Sequence, residues 1–281
     1  MCVKTLGLDG RLVWKAAVPN AVRYRYAVSS IVQQSEPVSA ELLGPACLEI
    51  GGIQQAGFPG AGLAMSVGRL PKRPAPLEPN EDAALLASHG DKILGGVFDG
   101  HFGFLAAEAA LTVIKDMVGD GILAGESREA LLTLVRTAST AIRAAIEDAG
   151  DLWQASRTAL TLAIADPGTV HLSTVGDTTA LLVRPRRTSH FRGTPSFLGP
   201  QPVEPHIDRW KWRPGHRLLL ATDGVTDYAA LPHVARLVRQ SATAADAASA
   251  VVEAGLLGGA GDNATAVVFD YDWGRDTTRS D

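Results

Sequence analysis

Apolar and polar residues follow one another in a pattern that predicts short strands over much of the chain. Two apolar runs, residues 83–87 and 93–98, flank the turn residues 88–91, which predicts a β-hairpin. Residues 160–165 and 170–175 flank an Asp-Pro-Gly-Thr turn and predict a second hairpin. Further strands are predicted over residues 179–183, 217–221 and 264–271.

Other segments have the spacing of amphipathic helices. Residues 104–118 are expected to be helical, and so are residues 127–149, where Ser127 is the expected N-cap. The apolar face of the second helix consists of Leu131, Leu134, Val135, Ala138, Ile142 and Ile146. Helices are also predicted over residues 232–240 and 244–257, the latter opened by a capping box of Thr243 and Asp246.

The strands and helices predict one domain over residues 1–281. Residues 1–45 are an N-terminal extension, in which residues 12–18 and 22–26 form a plausible hairpin and residues 35–45 a connection. Residues 46–272 form the core, which has a proline-rich loop at residues 69–79 and a loop with short strands at residues 185–214. Residues 273–281 form a flexible tail. Strands linked by hairpins, with two long helices between them, indicate an α+β fold with antiparallel sheets.

Composition excludes several classes of function. The chain has 30 acidic and 26 basic residues, so its small negative charge gives no electrostatic reason to bind nucleic acid or an anionic membrane. Cys2 and Cys47 have no metal-ligand spacing and cannot build a disulfide framework. Because we find no signal-peptide pattern and no long apolar run, we expect a soluble, cytoplasmic and monomeric protein.

Acidic residues stand at the ends of several predicted strands. Because Glu81 and Asp82 precede the first strand of one hairpin and Asp99 follows the second, Asp82 and Asp99 should be neighbours. The other strand-end acids, each beside Gly or Asn, are Asp177, Asp223 and Asp262. Each pair alone is explained equally well by an ordinary turn, but five such sites in one chain are harder to explain that way.

Several carboxylates on one sheet rim repel one another unless cations lie between them. Oxygen ligands favour Mg²⁺ or Mn²⁺ over Zn²⁺, and a pair of such ions is the usual means of attacking a phosphate ester. Glycine after a ligand aspartate, as in Asp99-Gly100, allows the backbone carbonyl to approach the same ion.

These motifs, in this order, resemble those of the metal-dependent Ser/Thr protein phosphatases of type 2C, in particular the bacterial ones. The resemblance extends from about residue 62 to residue 271. Its five motifs are Glu81-Asp82, Val97-Phe98-Asp99-Gly100-His101, Val175-Gly176-Asp177, Leu220-Ala221-Thr222-Asp223-Gly224 and Asp262-Asn263. It implies a four-layer αββα sandwich of two antiparallel sheets, with two Mg²⁺ or Mn²⁺ ions at one rim.

The resemblance also implies a role for each motif. Asp99 would bridge the two ions and the Gly100 carbonyl would bind one of them, while Asp177 would hold a third ion. The remaining ligands would be Asp82 (ranked before its neighbour Glu81), Asp223 and Asp262. A water between the ions would attack phosphorus, and His101 would protonate the leaving alkoxide as general acid.

Two positions depart from the family pattern. Phe102 stands where the family has glycine after the histidine, so its ring either narrows the substrate mouth or turns inward into the core. Leu77 stands where the family has the arginine that grips the phosphate, and Arg73 or Arg69 could replace it or remain a solvated loop residue. The basic cluster of Arg184, Arg186, Arg187 and Arg192 is read as a solvated strand end.

Three functions remain open. The first is a phosphoserine/phosphothreonine protein phosphatase, and the second is a phosphatase of the same fold that acts on a small phosphorylated metabolite. The third is a non-catalytic regulatory module, which the retained carboxylates disfavour.

Overall fold

The computed structural model describes residues 2–6, 12–16, 38–70 and 80–271, and the chain divides into two compact units, residues 1–34 and 35–281. In the first unit, strand β1 (Cys2–Leu6) pairs antiparallel with β2 (Leu12–Ala16). The hairpin therefore uses the predicted run that begins at Leu12, but with a different partner. Residues 22–26 and the tail at 273–281 lie outside the described residues.

The second unit contains two six-stranded sheets, and all the strand pairs in both are antiparallel. Sheet I contains β3 (Val38–Leu43), β6 (Ala83–His89), β7 (Lys92–His101), β8 (Arg157–Asp166), β9 (Thr169–Val175) and β12 (Asp208–Lys211), in the order β12-β9-β8-β7-β6-β3. Sheet II contains β4 (Gln54–Phe58), β5 (Ala61–Ser66), β10 (Thr179–Val183), β11 (Thr188–Arg192), β13 (Arg217–Ala221) and β14 (Ala264–Asp270), in the order β11-β10-β13-β14-β5-β4.

Five α-helices accompany the sheets in the described part of the second unit. They are α1 (Leu105–Gly119), α2 (Ser127–Ala149), α3 (Asp223–Thr226), α4 (Leu231–Gln240) and α5 (Ala244–Leu257). Helices α1 and α2 cover the outer face of sheet I, while α4 and α5 cover that of sheet II. A third apolar core fills the space between the sheets and includes the fully buried Phe269. The αββα sandwich of antiparallel sheets is thus confirmed.

The helices show how local sequence and packing agree. The apolar face predicted for α2 is buried along its whole length, and the capping box of Thr243 and Asp246 opens α5 as expected. The cap of α2, however, is Glu126, whose carboxylate accepts a hydrogen bond from the backbone N–H of Glu129. Ser127 is the first helical residue, and its hydroxyl donates to Asp166 Oδ2 at 2.6 Å.

Three strands of the second unit were not expected from the sequence, and neither was β1 of the first unit. Residues 35–45, predicted to be a connection, contain β3, which pairs with β6 at the edge of sheet I. The glycine-rich stretch that follows contains β4 and β5, and β5 lies between β4 and β14 in sheet II. No described helix is both long and apolar enough to span a lipid bilayer.

Candidate metal centre

The hairpin of β6 and β7 brings Asp82 and Asp99 together, as the sequence predicts. Ala83 pairs with Phe98, so the residues just beyond this pair lie at the same end of the hairpin. Asp82 is 1% exposed and Asp99 is 2% exposed. Both carboxyl groups are therefore held inside the rim of sheet I and do not point into open solvent.

Two threonines of sheet II contact Asp82 from the other side of the rim. The Asp82 Oδ2 atom accepts hydrogen bonds from Thr265 Oγ1 at 2.6 Å and from Thr222 Oγ1 at 3.1 Å. Thr222 directly follows β13 and Thr265 belongs to β14. These bonds fix the Asp82 carboxylate between the two sheets.

Asp223 and Asp262 reach the same rim from sheet II. Asp223 opens α3 directly beyond β13, and Asp262 precedes β14, which is the antiparallel neighbour of β13. Asn263 holds the loop before β14 in place. Its backbone N–H donates to Asp262 Oδ1 at 2.7 Å, and its side-chain oxygen accepts from the backbone N–H of Glu81 at 2.9 Å.

The electrostatics of the rim show how closely these acids are grouped. Burial raises the pKa of Asp99 well above its usual range, and the charges of Asp82, Asp223, Asp177 and Asp262 raise it further, in that order. Burial, followed by the charges of Asp262, Asp177 and Asp227, raises the pKa of Asp223 to about 6. Asp99 Oδ2 is also buried without a hydrogen-bond partner among the described residues. A divalent cation at this rim would relieve both the repulsion and the unsatisfied oxygen, so the donor set fits Mg²⁺ or Mn²⁺.

Asp177 and His101 complete the outer side of the cluster. Single ligand atoms of Asp99, His101 and Asp177 lie within 4.8 Å of one another. His101 Nε2 lies 3.7 Å from Asp177 Oδ1 and 3.9 Å from Asp99 Oδ1, which are ion-pair distances and too long for hydrogen bonds. Burial alone would raise the pKa of Asp177, but His101 and the positive charge of Arg157 hold it below its ordinary value.

Glu81 differs from Asp82 in what its side chain contacts. Glu81 Oε1 accepts a hydrogen bond from the backbone N–H of Gly103 at 2.6 Å, which ties the acid to the loop after β7. Gly100 lies so close to this segment that a Cβ atom there would collide with the backbone oxygen of Glu81. The glycine of the Asp-Gly-His motif is therefore required by the close approach of two backbone segments.

A phosphate contact by Arg73 or Arg69 of the proline loop stays a prediction. Arg73 lies outside the described residues, and so does Leu77, the position where the family arginine is missing. Arg69 is exposed.

Two residues of the rim, Arg157 and Phe197, were not predicted from the sequence. The Arg157 guanidinium carbon lies 5.1 Å from the ring centroid of Phe102 and 4.7 Å from that of Phe197. The Phe102 ring is 54% exposed, so the possibility that it packs in the core is wrong. Arg157 is the cross-strand partner of His101, but α1 and α2 separate the two strands in the sequence, so neither Arg157 nor Phe197 carries a local signal.

The fold resembles solved bacterial phosphatases. The catalytic domain of the serine/threonine protein phosphatase PstP, solved with two manganese ions, is 24% identical, with a TM-score of 0.63 over 78% of this chain and 97% of that one. PstP/Ppp of Mycobacterium tuberculosis is 23% identical, with a TM-score of 0.63 over 78% of this chain and 98% of that one. The serine/threonine phosphatase of S. agalactiae is 18% identical, with the same TM-score over 78% of this chain and 99% of that one.

These identities establish the fold, and they confirm at that level the resemblance to bacterial metal-dependent phosphatases. A comparison with curated protein sequences gave no significant match. The family model described as Stage II sporulation protein E (SpoIIE) matches residues 107–272, a range that includes Asp177, Asp223 and Asp262 and begins just after the first acidic motifs. Because this match extends over more than half of the sequence, the chain belongs to the SpoIIE family.

Proposed function

We propose that the chain is a metal-dependent phosphomonoester hydrolase and that it acts on phosphoserine and phosphothreonine in proteins. One observation carries this proposal: the Asp99 carboxylate is buried where the charges of four other aspartates converge. A fold has no structural use for such a concentration of repelling carboxylates, because an unpaired buried charge costs several kcal/mol. Divalent cations bound among the carboxylates would offset this repulsion.

The residues that would hold these ions are the ones grouped at the rim. Asp99 would contact both ions, and Asp177 is the candidate for a third. The other ligands would be Asp82 or Glu81, the Gly100 carbonyl, Asp223 and Asp262. When bound, the ions would supply an activated water and offset the charge of the phosphate.

His101 is the proposed general acid. Its Nε2 atom lies within 4 Å of carboxylate oxygens of both Asp99 and Asp177. The Phe197 ring packs edge-to-face on His101, with the two ring centroids 4.8 Å apart, and limits the movement of the imidazole. His101 would hold a proton at Nε2 and donate it to the oxygen of the departing serine or threonine.

The protein substrate is supported by analogy with the solved structures, whose names describe serine/threonine protein phosphatases. A small phosphorylated metabolite is the second candidate, because Phe102 reshapes the mouth and Leu77 removes the usual phosphate grip. A non-catalytic module is disfavoured because all the inner carboxylates are retained. Mg²⁺ as an alternative to Mn²⁺, a monomeric state and a cytoplasmic location remain predictions.

Mn²⁺-dependent hydrolysis of an aryl phosphate tests the activity. We expect Asp99→Asn and Asp223→Asn to reduce kcat/KM by at least 100-fold, whereas Asp148→Asn, an exposed acid on α2, should behave as wild type. Absence of metal-dependent turnover in pure wild-type protein would refute the proposal. A phosphopeptide panel, compared with sugar and nucleoside phosphates, then distinguishes the two substrate classes.

A further inference from the structure

We propose that Arg157, held between Phe102 and Phe197, binds the phosphate group of the substrate. It would replace the family arginine whose position is occupied here by Leu77. This inference rests on the proposed function and names a residue that the family pattern does not provide. The expected ligand is a phosphate monoester dianion, which the guanidinium would contact through its N–H edges.

The position of Arg157 is the first argument. It is the first residue of β8 and pairs with His101, the last residue of β7, so both side chains lie on the same face of sheet I at the metal rim. The charge of Arg157 reaches Asp177, whose pKa it helps to lower. A phosphate beside the general acid would therefore lie within reach of this guanidinium.

The second argument is that the guanidinium of Arg157 forms no described ion pair or hydrogen bond. No ion pair joins it to a carboxylate among the residues that the structure describes, and its Nε atom is buried there without a hydrogen-bond partner. The rings of Phe102 and Phe197 lie within cation–π distance of the guanidinium, and this contact does not occupy its N–H donors. A planar guanidinium fixed in this way is suited to bidentate contact with a phosphate.

The third argument is the backbone of Phe102. Its φ of 60° is in the left-handed region, which is unfavourable for an aromatic residue, and no other described non-glycine residue has a positive φ. The ring is largely exposed, so burial does not compensate for this strain. The strained backbone places the Phe102 ring against the Arg157 guanidinium. Strained backbone conformations of this kind are common at functional sites.

The test separates phosphate binding from turnover. In Mn²⁺-loaded protein, inorganic phosphate affinity measured by calorimetry should fall about 10- to 100-fold in Arg157→Ala and several-fold in Arg157→Lys, which keeps the charge but loses the fork. KM for an aryl phosphate should rise by a similar factor. Arg128→Gln, a surface arginine near the opposite end of β8, is the matched control. Mn²⁺ affinity should be unchanged in every variant.

The outcomes distinguish the two proposals. Hydrolysis by wild type with unchanged phosphate affinity and KM in both Arg157 variants would overturn the role of Arg157 alone. Absence of hydrolysis with Arg157-dependent phosphate binding would overturn the enzymatic function alone. Failure of the Mn²⁺-loaded wild type to bind phosphate would overturn the Arg157 proposal, whatever its activity.

A separate observation supports a second site at the other end of the sandwich. A cavity of about 360 Å³ has five cations in its lining and no carboxylate among the described lining residues. The five are Arg184, Arg187, Arg209, Lys211 and Arg213. Arg184 follows β10, whose first residue comes just after Asp177, so the cavity lies roughly 20 Å from the acidic rim.

Two acids of the strands near this cavity pair with residues outside its lining. Asp208 lies 3.4 Å from His206, and Asp270 lies 2.7 Å from Arg217. Burial and then the charge of Arg187 lower the pKa of Arg184, as expected where like charges are crowded. We infer that the cavity binds a compact polyanion, an oligophosphate chain that is either free or carried by a nucleoside.

Protein stripped of metal with EDTA tests this site without interference from the rim. Tripolyphosphate should raise the Tm and bind at least ten times more tightly to wild type than to the double variant Arg184→Gln/Arg213→Gln. Arg186→Gln/Arg192→Gln, nearby but outside the lining, is the control. Comparison of ATP with tripolyphosphate, which share the oligophosphate chain, shows whether a nucleoside contributes. Equal binding to wild type and both double variants, or no shift beyond that of NaCl at equal ionic strength, would overturn the site.

Discussion

The side-chain oxygen of Asn263 and the backbone N–H of Glu81 form a 2.9 Å hydrogen bond between residues 182 positions apart in the sequence. The same side chain donates from Nδ2 to the backbone oxygen of Val67 at 3.1 Å. One buried amide therefore joins the segments that precede β6 and β14 to the end of β5. The acidic pair before β6 and Asp262 before β14 are thereby held together at the rim.

Asn263→Ala should reduce the free energy of unfolding by about 1–3 kcal/mol, because it leaves the backbone N–H of Glu81 buried without its acceptor. Urea denaturation in EDTA measures the change. Gln55→Ala, which removes an exposed hydrogen bond to Ser249, should cost no more than about 0.5 kcal/mol. Equal effects of the two substitutions would contradict the role of Asn263.

The metal-free protein should lose stability as pH rises from 4 to 7 through the raised pKa values of Asp99 and Asp223. A carboxyl whose pKa is higher in the folded state binds its proton more tightly there, so its contribution is present at low pH and disappears above the folded pKa. For Asp223, with a pKa of about 6, we expect a loss of about 1–2 kcal/mol after allowing for partial solvent screening.

Asp223→Asn checks this pH dependence. In EDTA the variant should be more stable than wild type at pH 7 and similar to it at pH 4. Adding Mn²⁺ should reverse the order at pH 7, because only wild type keeps the ligand. If the variant were less stable than wild type at pH 7 without metal, repulsion at Asp223 would not be reducing the stability of the wild-type protein.

Asp82 and Glu81 should differ in their effect on metal affinity. We expect Asp82→Asn to weaken Mn²⁺ binding at least tenfold, since it removes a charge held between the sheets by Thr222 and Thr265. Glu81→Gln keeps an oxygen for the Gly103 N–H and should change the affinity less than threefold. Calorimetric titration with Mn²⁺ measures both affinities. A larger loss of affinity in Glu81→Gln than in Asp82→Asn would make Glu81 the ligand.

Phe102→Gly should be more stable than Phe102→Ala by about 1 kcal/mol. Both substitutions remove the ring, but only glycine relieves the left-handed backbone conformation at φ 60°. Thermal and urea unfolding of the pair measure the difference. If alanine were as stable as glycine, the backbone at this position would not be strained.

The strands that the sequence predicted best are those that form hairpins with a clear turn. The pairs β6–β7 and β8–β9 follow from two apolar runs and the polar residues between them, and the meeting of Asp82 with Asp99 follows from hairpin geometry alone. The edge strands β3 and β4 were missed because neither has a clean alternation, and their place depends on a neighbour in the sheet.

The same distinction applies to the candidate site. The positions of the acids could be predicted because each stands at a strand end, most of them beside glycine or asparagine. The contact of Arg157 with Phe197 could not, because the two rim segments are brought together only by tertiary packing. The outward direction of Phe102 likewise depends on the backbone conformation at that residue, which no local pattern specifies.

Asp82 Oδ2, bonded to Thr222 and Thr265, has a consequence for substitutions far from the rim. Half of the acidic cluster belongs to each sheet, so the spacing between the halves is set by how the two sheets rest on each other. Phe269 lies in that intervening core, at the opposite end of β14. A smaller side chain at this position would let the two sheets move closer or shift sideways. The packing between the sheets therefore determines the distance between the carboxylates of the two sheets.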